Sequence, residues 1–246
     1  MRRLWPALPA ILVVALIGLL LPPAFLGALD LNELKAVRTL KAIRSAQEQF
    51  KAKKFVDQNK NGKGEYGLLG ELSGELVLRD SLSKKFKPSS SLLRGLETGG
   101  RGKGGTALRD GYYFCLYLPY LGGPNTDRVA GGDSETPGEA LSASTDAEII
   151  EAQEKSYCVY AWPEALNKTG RKVFFMNETG VISTIKERPR KKRSELRPGQ
   201  ENPIQTKLYE GANPIPANAA YETNAFTSNM ALDKEGADGN LWVELK

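Results

Sequence analysis

The chain has 246 residues, of which 41% are hydrophobic, and its formal net charge is +5. This composition is typical of a globular protein and leaves room, after a targeting segment, for one domain with a tail. The chain contains no histidine, which excludes the commonest general base and the Ser-His and Cys-His nucleophile pairs, so we expect no enzyme.

Residues 1–29 are predicted to be a transmembrane anchor or a signal segment. Arg2 and Arg3 precede residues 4–29, where no side chain is charged. A helix of that length crosses a hydrocarbon core of about 30 Å. The uninterrupted apolar core, residues 10–21, also has the length of a secretory signal. Both interpretations export the rest of the chain. We therefore expect a cell-envelope protein, anchored in the inner membrane with its domain on the non-cytoplasmic side, or periplasmic or secreted after cleavage.

Residues 30–56 are predicted to form an amphipathic spine helix. Leu40 and Ile43 belong to an apolar stripe with helical spacing, and charged residues occupy the opposite face. Asp30 and Glu33 have the spacing of an N-terminal capping pair. Because the stripe is narrow, we expect the helix to lie on a sheet.

Residues 57–185 are predicted to form an antiparallel sheet domain with long loops. Aromatic and β-branched runs indicate strands at 110–119 and 155–163 and a hairpin at 172–185, with a small helix at 146–154. The connections are unsuited to helical crossovers. The predicted class is α+β, with a membrane-proximal helix packed on an antiparallel sheet of about four strands. The alternating side chains of the first strand predict that both of its faces are covered.

Residues 186–246 are predicted to be a proline-rich basic tail with a possible edge strand at 238–245. Its most basic run, residues 186–197, is interpreted as a solvated loop or as a binding site for an anionic polymer or lipid headgroups. No aromatic residue interrupts the run, so we expect no nucleic-acid partner.

A polar turn follows the spine helix and matches the first half of an EF-hand calcium loop. The candidate calcium ligands are Asp57, Asn59, Asn61, Lys63 (through its carbonyl) and Glu65. The twelfth position is Leu68, so the bidentate glutamate of an EF-hand is missing and the affinity should be weak, about millimolar. The alternative is an Asx-rich turn that closes the helix end.

The two cysteines, Cys115 and Cys158, both lie inside predicted strands. In an oxidising compartment they are candidates for a disulfide, provided that the two strands are neighbours in register. Otherwise they are small core side chains.

Residues 10–185 resemble type IV pilins and type II secretion pseudopilins. The resemblance rests on ILVVALIGLLLP followed by NELKAVRTLKAIRSAQEQF, and then on DQNKNGKGEYG, GYYF, YCVYAWP and GRKVFFMNETGVI. It implies a long amino-terminal helix packed on an antiparallel sheet. The Gly-Phe-x-x-x-Glu motif of the prepilin peptidase is not found, which favours a pilin-like anchored protein over a filament subunit.

The resemblance therefore implies a structural or interaction role without catalysis. The expected partners are the membrane, through the amino-terminal helix, and other proteins of the envelope. The alternative function is a secreted or periplasmic binding module that calcium stabilises.

Overall fold

A 25-residue helix, α1 (Ala28–Ala52), lies against one face of an antiparallel sheet. The computed structural model describes residues 27–81, 83–94, 96, 106–119, 129–130, 147–186, 209–212, 215, 219–222 and 229–246. The predicted α+β class, with an amino-terminal helix on an antiparallel sheet, is confirmed. Among the described residues no helix is both long and apolar enough to cross a membrane. The apolar segment before Gly27 lies outside them.

The first turns of α1 are held by ion pairs rather than by a side-chain cap. The N-cap is Gly27, which has no side chain to accept a hydrogen bond from the helix amides, so the predicted capping pair is wrong. Instead, Asp30 pairs with Arg171, and Glu33 pairs with Arg171 and with Lys172 at 3.3 Å. These contacts tie the start of the helix to the chain that enters the middle of the sheet.

The sheet is larger than predicted because its outer strands are too short to give a sequence signal. The strands are β1 (Ala107–Arg109), β2 (Tyr112–Pro119), β3 (Val129–Ala130), β4 (Cys158–Pro163), β5 (Phe174–Asn177), β6 (Ile182–Ile185), β7 (Lys234–Glu235) and β8 (Leu241–Glu244). Their order is β1-β2-β4-β5-β6-β8-β7, with β3 also pairing with β2, and all of these pairs are antiparallel.

The expectation of about four strands is therefore wrong for the described residues, since seven form the continuous order. The four predicted central strands are present as β2, β4, β5 and β6. The predicted small helix is also present as α3 (Ala147–Lys155), and a five-residue helix, α2 (Leu69–Ser73), precedes the sheet. A strand of two or three residues cannot show the two-residue alternation on which sequence recognition depends.

The two faces of the sheet carry two separate hydrophobic clusters, and all eight residues of β2 are buried. The α1 side takes Tyr112, Phe114 and Leu116, which pack with the buried stripe of the helix. The other side takes the intervening Tyr113 and Cys115. The prediction that both faces of this strand are covered is confirmed.

Part of the predicted tail covers the second face of the sheet. Tyr117 donates its hydroxyl hydrogen bond to the carbonyl of Ile215 at 2.6 Å, and Trp162 donates from its indole nitrogen to Gly211 at 2.8 Å. Residues 187–208, which include most of the basic run, lie outside the described residues. The predicted edge strand exists as β8, but it lies inside the sheet between β6 and β7.

Candidate functional site

The polar turn after α1 folds into a tight loop in which alternate side chains accept hydrogen bonds from the loop backbone. Asp57 Oδ2 accepts from the Gly62 amide at 3.1 Å, Asn59 Oδ1 from the Asn61 amide at 3.1 Å, and Asn61 Oδ1 from the Lys63 amide at 2.7 Å. Gly62 has a φ of 82°, a left-handed conformation that glycine adopts without strain. One side-chain oxygen of each of three predicted calcium ligands is therefore occupied by a backbone amide, as in an Asx-rich turn.

Glu154 contacts this loop from the last turn of α3. Its Oε1 accepts hydrogen bonds from the side-chain amides of Asn59 at 2.9 Å and Asn61 at 2.8 Å. Only 4% of Glu154 is exposed, and among the described residues it has no ion-pair partner within 4.0 Å. A carboxylate at the carboxyl end of a helix also lies at the negative end of the helix dipole. Both features favour a cation near Glu154, and the Lys51 ammonium, 2.5 Å from the Glu154 carbonyl oxygen, already supplies one.

Sequence analysis did not identify Glu154. It lies ninety-odd positions beyond the loop, in a helix whose other acidic residues look the same in the sequence. The only usable signal was the match between Asp57 and an EF-hand loop that lacks its last carboxylate, which requires a ligand from elsewhere in the chain.

Glu65, the predicted ligand at the ninth position, is directed into the interior. Its Oε1 accepts from the Gln58 backbone amide at 2.7 Å, and its Oε2 accepts from Arg79 Nη2 at 3.0 Å. Arg79 also donates to Glu71 at 2.6 Å and to the carbonyl of Tyr66 at 2.6 Å. The side chains of this Glu65–Arg79–Glu71 triad are at most 2% exposed.

Two further contacts fix the loop on the end of α1. The buried Gln47 amide exchanges two hydrogen bonds of 2.7 Å with the backbone of Gly67. Gly64 passes so close to α1 that a Cβ atom there would lie 2.1 Å from the carbonyl oxygen of Lys51. The loop is thus positioned by the helix and by the triad before any ligand binds.

The donor set fits a hard cation that accepts oxygen ligands. Within the ranges that the structure describes, Asp57 Oδ1 is buried without a hydrogen-bond partner. Glu154 supplies a second carboxylate to the loop, and the side-chain oxygens of Asn59 and Asn61 accept hydrogen bonds from the loop backbone. Among the described residues no three His, Cys, Asp or Glu side chains converge as a metal-binding group, so a cation here would depend on the asparagine oxygens. Lys63 contributes its backbone amide to Asn61, and Glu65 is occupied by Arg79.

A second polar cluster lies between α1 and the β5–β6 turn. Lys51 donates to the carbonyl of Glu154 at 2.5 Å, and its ammonium lies 4.4 Å from the centre of the Tyr66 ring. Tyr157, which is 1% exposed, packs on Tyr66. Within the described part of the chain, neither its hydroxyl nor Glu178 Oε2 has a hydrogen-bond partner. Burial lowers the pKa of Lys51 and raises the pKa of Glu178.

The cysteines occupy neighbouring strands but are not directly opposite. Cys115 pairs with Tyr160, and Cys158 pairs with Tyr117, so the two cysteines lie on a diagonal of the β2–β4 ladder. Both are buried thiols in the structure. Burial, and to a lesser extent the nearby Cys115, raises the pKa of Cys158, which slows thiolate chemistry in the folded state. The disulfide stays a prediction, which the intact mass of the unreduced protein would test.

Comparison with known proteins gives no match: no family model matches the chain, and neither a curated protein nor a solved structure matches it significantly.

Replacing Arg79 by methionine should strongly destabilise the fold, because the buried carboxylates of Glu65 and Glu71 would lose the cation that they share. We expect the free energy of unfolding to fall by about 3–5 kcal/mol, measured by urea denaturation. Arg38→Met, at an exposed position of α1, should change it by less than about 0.5 kcal/mol. A loss below about 1 kcal/mol for Arg79→Met would show that the triad does not control the stability.

Replacing Glu178 by glutamine should stabilise the protein at neutral pH. Burial raises the pKa of the Glu178 carboxyl in the folded state, so folding favours the protonated carboxyl. The stability that Glu178 contributes is therefore fully present below the unfolded-state pKa and is lost as the pH rises through the folded-state pKa. The stability of Glu178→Gln relative to wild type should therefore increase between about pH 3.5 and pH 7.5. Thermal unfolding across that range measures this difference, with the exposed Glu244→Gln as control. A stability difference that stays constant with pH would contradict the raised pKa of Glu178.

Proposed function

We propose that this protein is a pilin-like, membrane-anchored envelope protein with a structural or interaction role and no catalysis. The observation that carries the proposal is the continuity between the apolar segment, residues 4–29, and α1, which begins at Ala28. The helix is part of the domain core, because its buried residues pack against the sheet. The last two residues of the apolar segment, Ala28 and Leu29, are thus the first residues of a structural element of the domain.

The ion pairs at the start of α1 support a mechanical role for this connection. Asp30 and Glu33 bind Arg171 and Lys172, which immediately precede β5. These contacts link the amino-terminal end of α1 to the segment that leads into β5. Such a connection suits a protein whose position and orientation relative to the membrane determine which partners it meets.

The lack of histidine supports a role without catalysis. With no histidine in the chain, a serine or cysteine nucleophile lacks its usual base. The two thiols are buried on the second face of the sheet, where a substrate would have to displace the core to reach them. Binding and positioning are left as the activities that this architecture favours.

Anchoring is tested by placing lysines in the centre of the apolar segment. Each lysine at the centre of a membrane helix costs about 2.5–3.5 kcal/mol of insertion, so Val14→Lys combined with Ile17→Lys should release the protein from membranes washed with alkaline carbonate. Leu4→Lys, beside Arg2 and Arg3, should leave it in the membrane fraction.

Mass spectrometry of the same fractions measures the amino terminus. A wild-type protein found in the supernatant, with its amino terminus near Leu29, would contradict anchoring and would favour the secreted or periplasmic binding module.

A second candidate function, a binding module that calcium stabilises, is favoured by the contact between Glu154 and the loop. Glu154 could supply the carboxylate that the EF-hand-like sequence lacks, once the amides of Asn59 and Asn61 turn their oxygens towards the cation. The ion would then join α3 to the end of α1. Its contribution would be to stability rather than to chemistry.

Calcium should raise the melting temperature if this site binds it. With a dissociation constant of about 1 mM and about 10 mM calcium, binding adds about 1.4 kcal/mol of stability, which corresponds to about 3–6 °C for a domain of this size. Asp57→Ala and Glu154→Gln should abolish the shift, and Glu244→Ala should retain it. Equal melting temperatures of the wild type in calcium and in chelator would reject the calcium site.

A further inference from the structure

The solvent-exposed face of α1 changes character along the helix. Its first two turns expose Leu31 and Leu34, whose exposed fractions are 42% and 36%. The next two turns expose Arg38 and Lys41 on the same face, because spacings of three and four residues bring side chains into line. We call these four residues the exposed stripe.

The cations of the stripe are available to a ligand. Among the described residues, neither Arg38 nor Lys41 forms an ion pair or a side-chain hydrogen bond. The neighbouring cations are neutralised, since Lys35 pairs with Asp110 and Arg44 pairs with Glu48, both at 3.0 Å. The positive charge of this face therefore comes from the stripe itself.

The position of the stripe relative to the apolar segment identifies what it can contact. At 1.5 Å per residue, Leu31 and Leu34 lie within about 8 Å of the end of that segment, which is about the depth of a headgroup layer. Side chains of a helix tilt towards its amino terminus, so Arg38 reaches back towards the same layer. Along α1 from the apolar segment, the two leucines come before the two cations. This order matches a bilayer surface, where the apolar region lies beneath the charged phosphates.

We propose that the exposed stripe docks on the surface of a bilayer that contains anionic phospholipids, so that α1 leans onto the membrane and carries the sheet on its upper side. Leu31 and Leu34 enter the headgroup region, and Arg38 and Lys41 bind lipid phosphates. This inference rests on the proposed anchoring, and it adds an orientation that anchoring alone does not specify.

The test measures whether the far part of the stripe approaches lipid headgroups. Ser45 continues the stripe at an exposed position, and in an upright helix it would lie about 24 Å beyond Leu29. A fluorophore on Ser45→Cys in the full chain, in nanodiscs that each hold one copy, is exposed to a headgroup-labelled quencher lipid. The native cysteines are buried and do not compete for the label. Asn229→Cys, on the opposite side of the sheet, is the matched site.

Docking predicts stronger quenching at residue 45 than at residue 229, and an increase when phosphatidylglycerol replaces part of the phosphatidylcholine. Arg38→Gln combined with Lys41→Gln should lower the docked fraction relative to the undocked fraction roughly ten-fold or more. Lys53→Gln combined with Lys60→Gln, at the other end of the helix, should leave it unchanged.

Other results would overturn the inference. Equal quenching at both sites, with the protein still bound to the nanodiscs, would reject docking and leave the anchoring intact. Failure to co-elute with the nanodiscs would reject both. Quenching that appears only in crowded vesicles would assign the stripe to a second copy of the chain.

Discussion

The buried guanidinium of Arg79 constrains the end of the domain that carries the polar loop. It lies between the carboxylates of Glu65 and Glu71, and none of the three side chains is more than 2% exposed. Burying these charges is unfavourable unless each is paired and hydrogen-bonded, so the backbone must bring the three together. Because Glu65 ends the polar loop and Glu71 lies in α2, satisfying Arg79 fixes both elements. The loop is therefore shaped by a charge requirement in the interior.

The two faces of the sheet are covered by different structures, a regular helix on one and an irregular segment on the other. The first cover, α1, is a regular helix whose apolar stripe packs on Tyr112 and Phe114. The second is an irregular segment that hydrogen bonds from Tyr117 and Trp162 hold in place. An irregular cover must satisfy its own backbone polar groups, and aromatic side chains with a polar tip do this while they fill the core. This explains why the second face is rich in tyrosine and tryptophan.

The sequence predicted the elements with a strong period and missed those that depend on distant contacts. The stripe that includes Leu40 and Ile43, and the aromatic run of β2, revealed the spine helix and the central strand because burial there follows a local repeat. The strands β1 and β7 are too short to show the two-residue alternation of side chains that identifies a strand. The polar loop was recognised from Asp57, Asn59 and Asn61, but its fourth partner, Glu154, comes from α3. The inward direction of Glu65 was equally hidden, because only the fold brings Arg79 to it.

The exposed stripe and the polar loop lie at opposite ends of α1, so a ligand bound at one does not contact the other. The helix is about 37 Å long, with the stripe of Leu31 to Lys41 at the end next to the apolar segment and the loop at the other end. A contact with the membrane and a cation in the loop would therefore act independently, joined only through the rigidity of the helix. Gln47 and Lys51 connect the helix to the loop and to α3, so order in the loop strengthens the end of the domain opposite the exposed stripe.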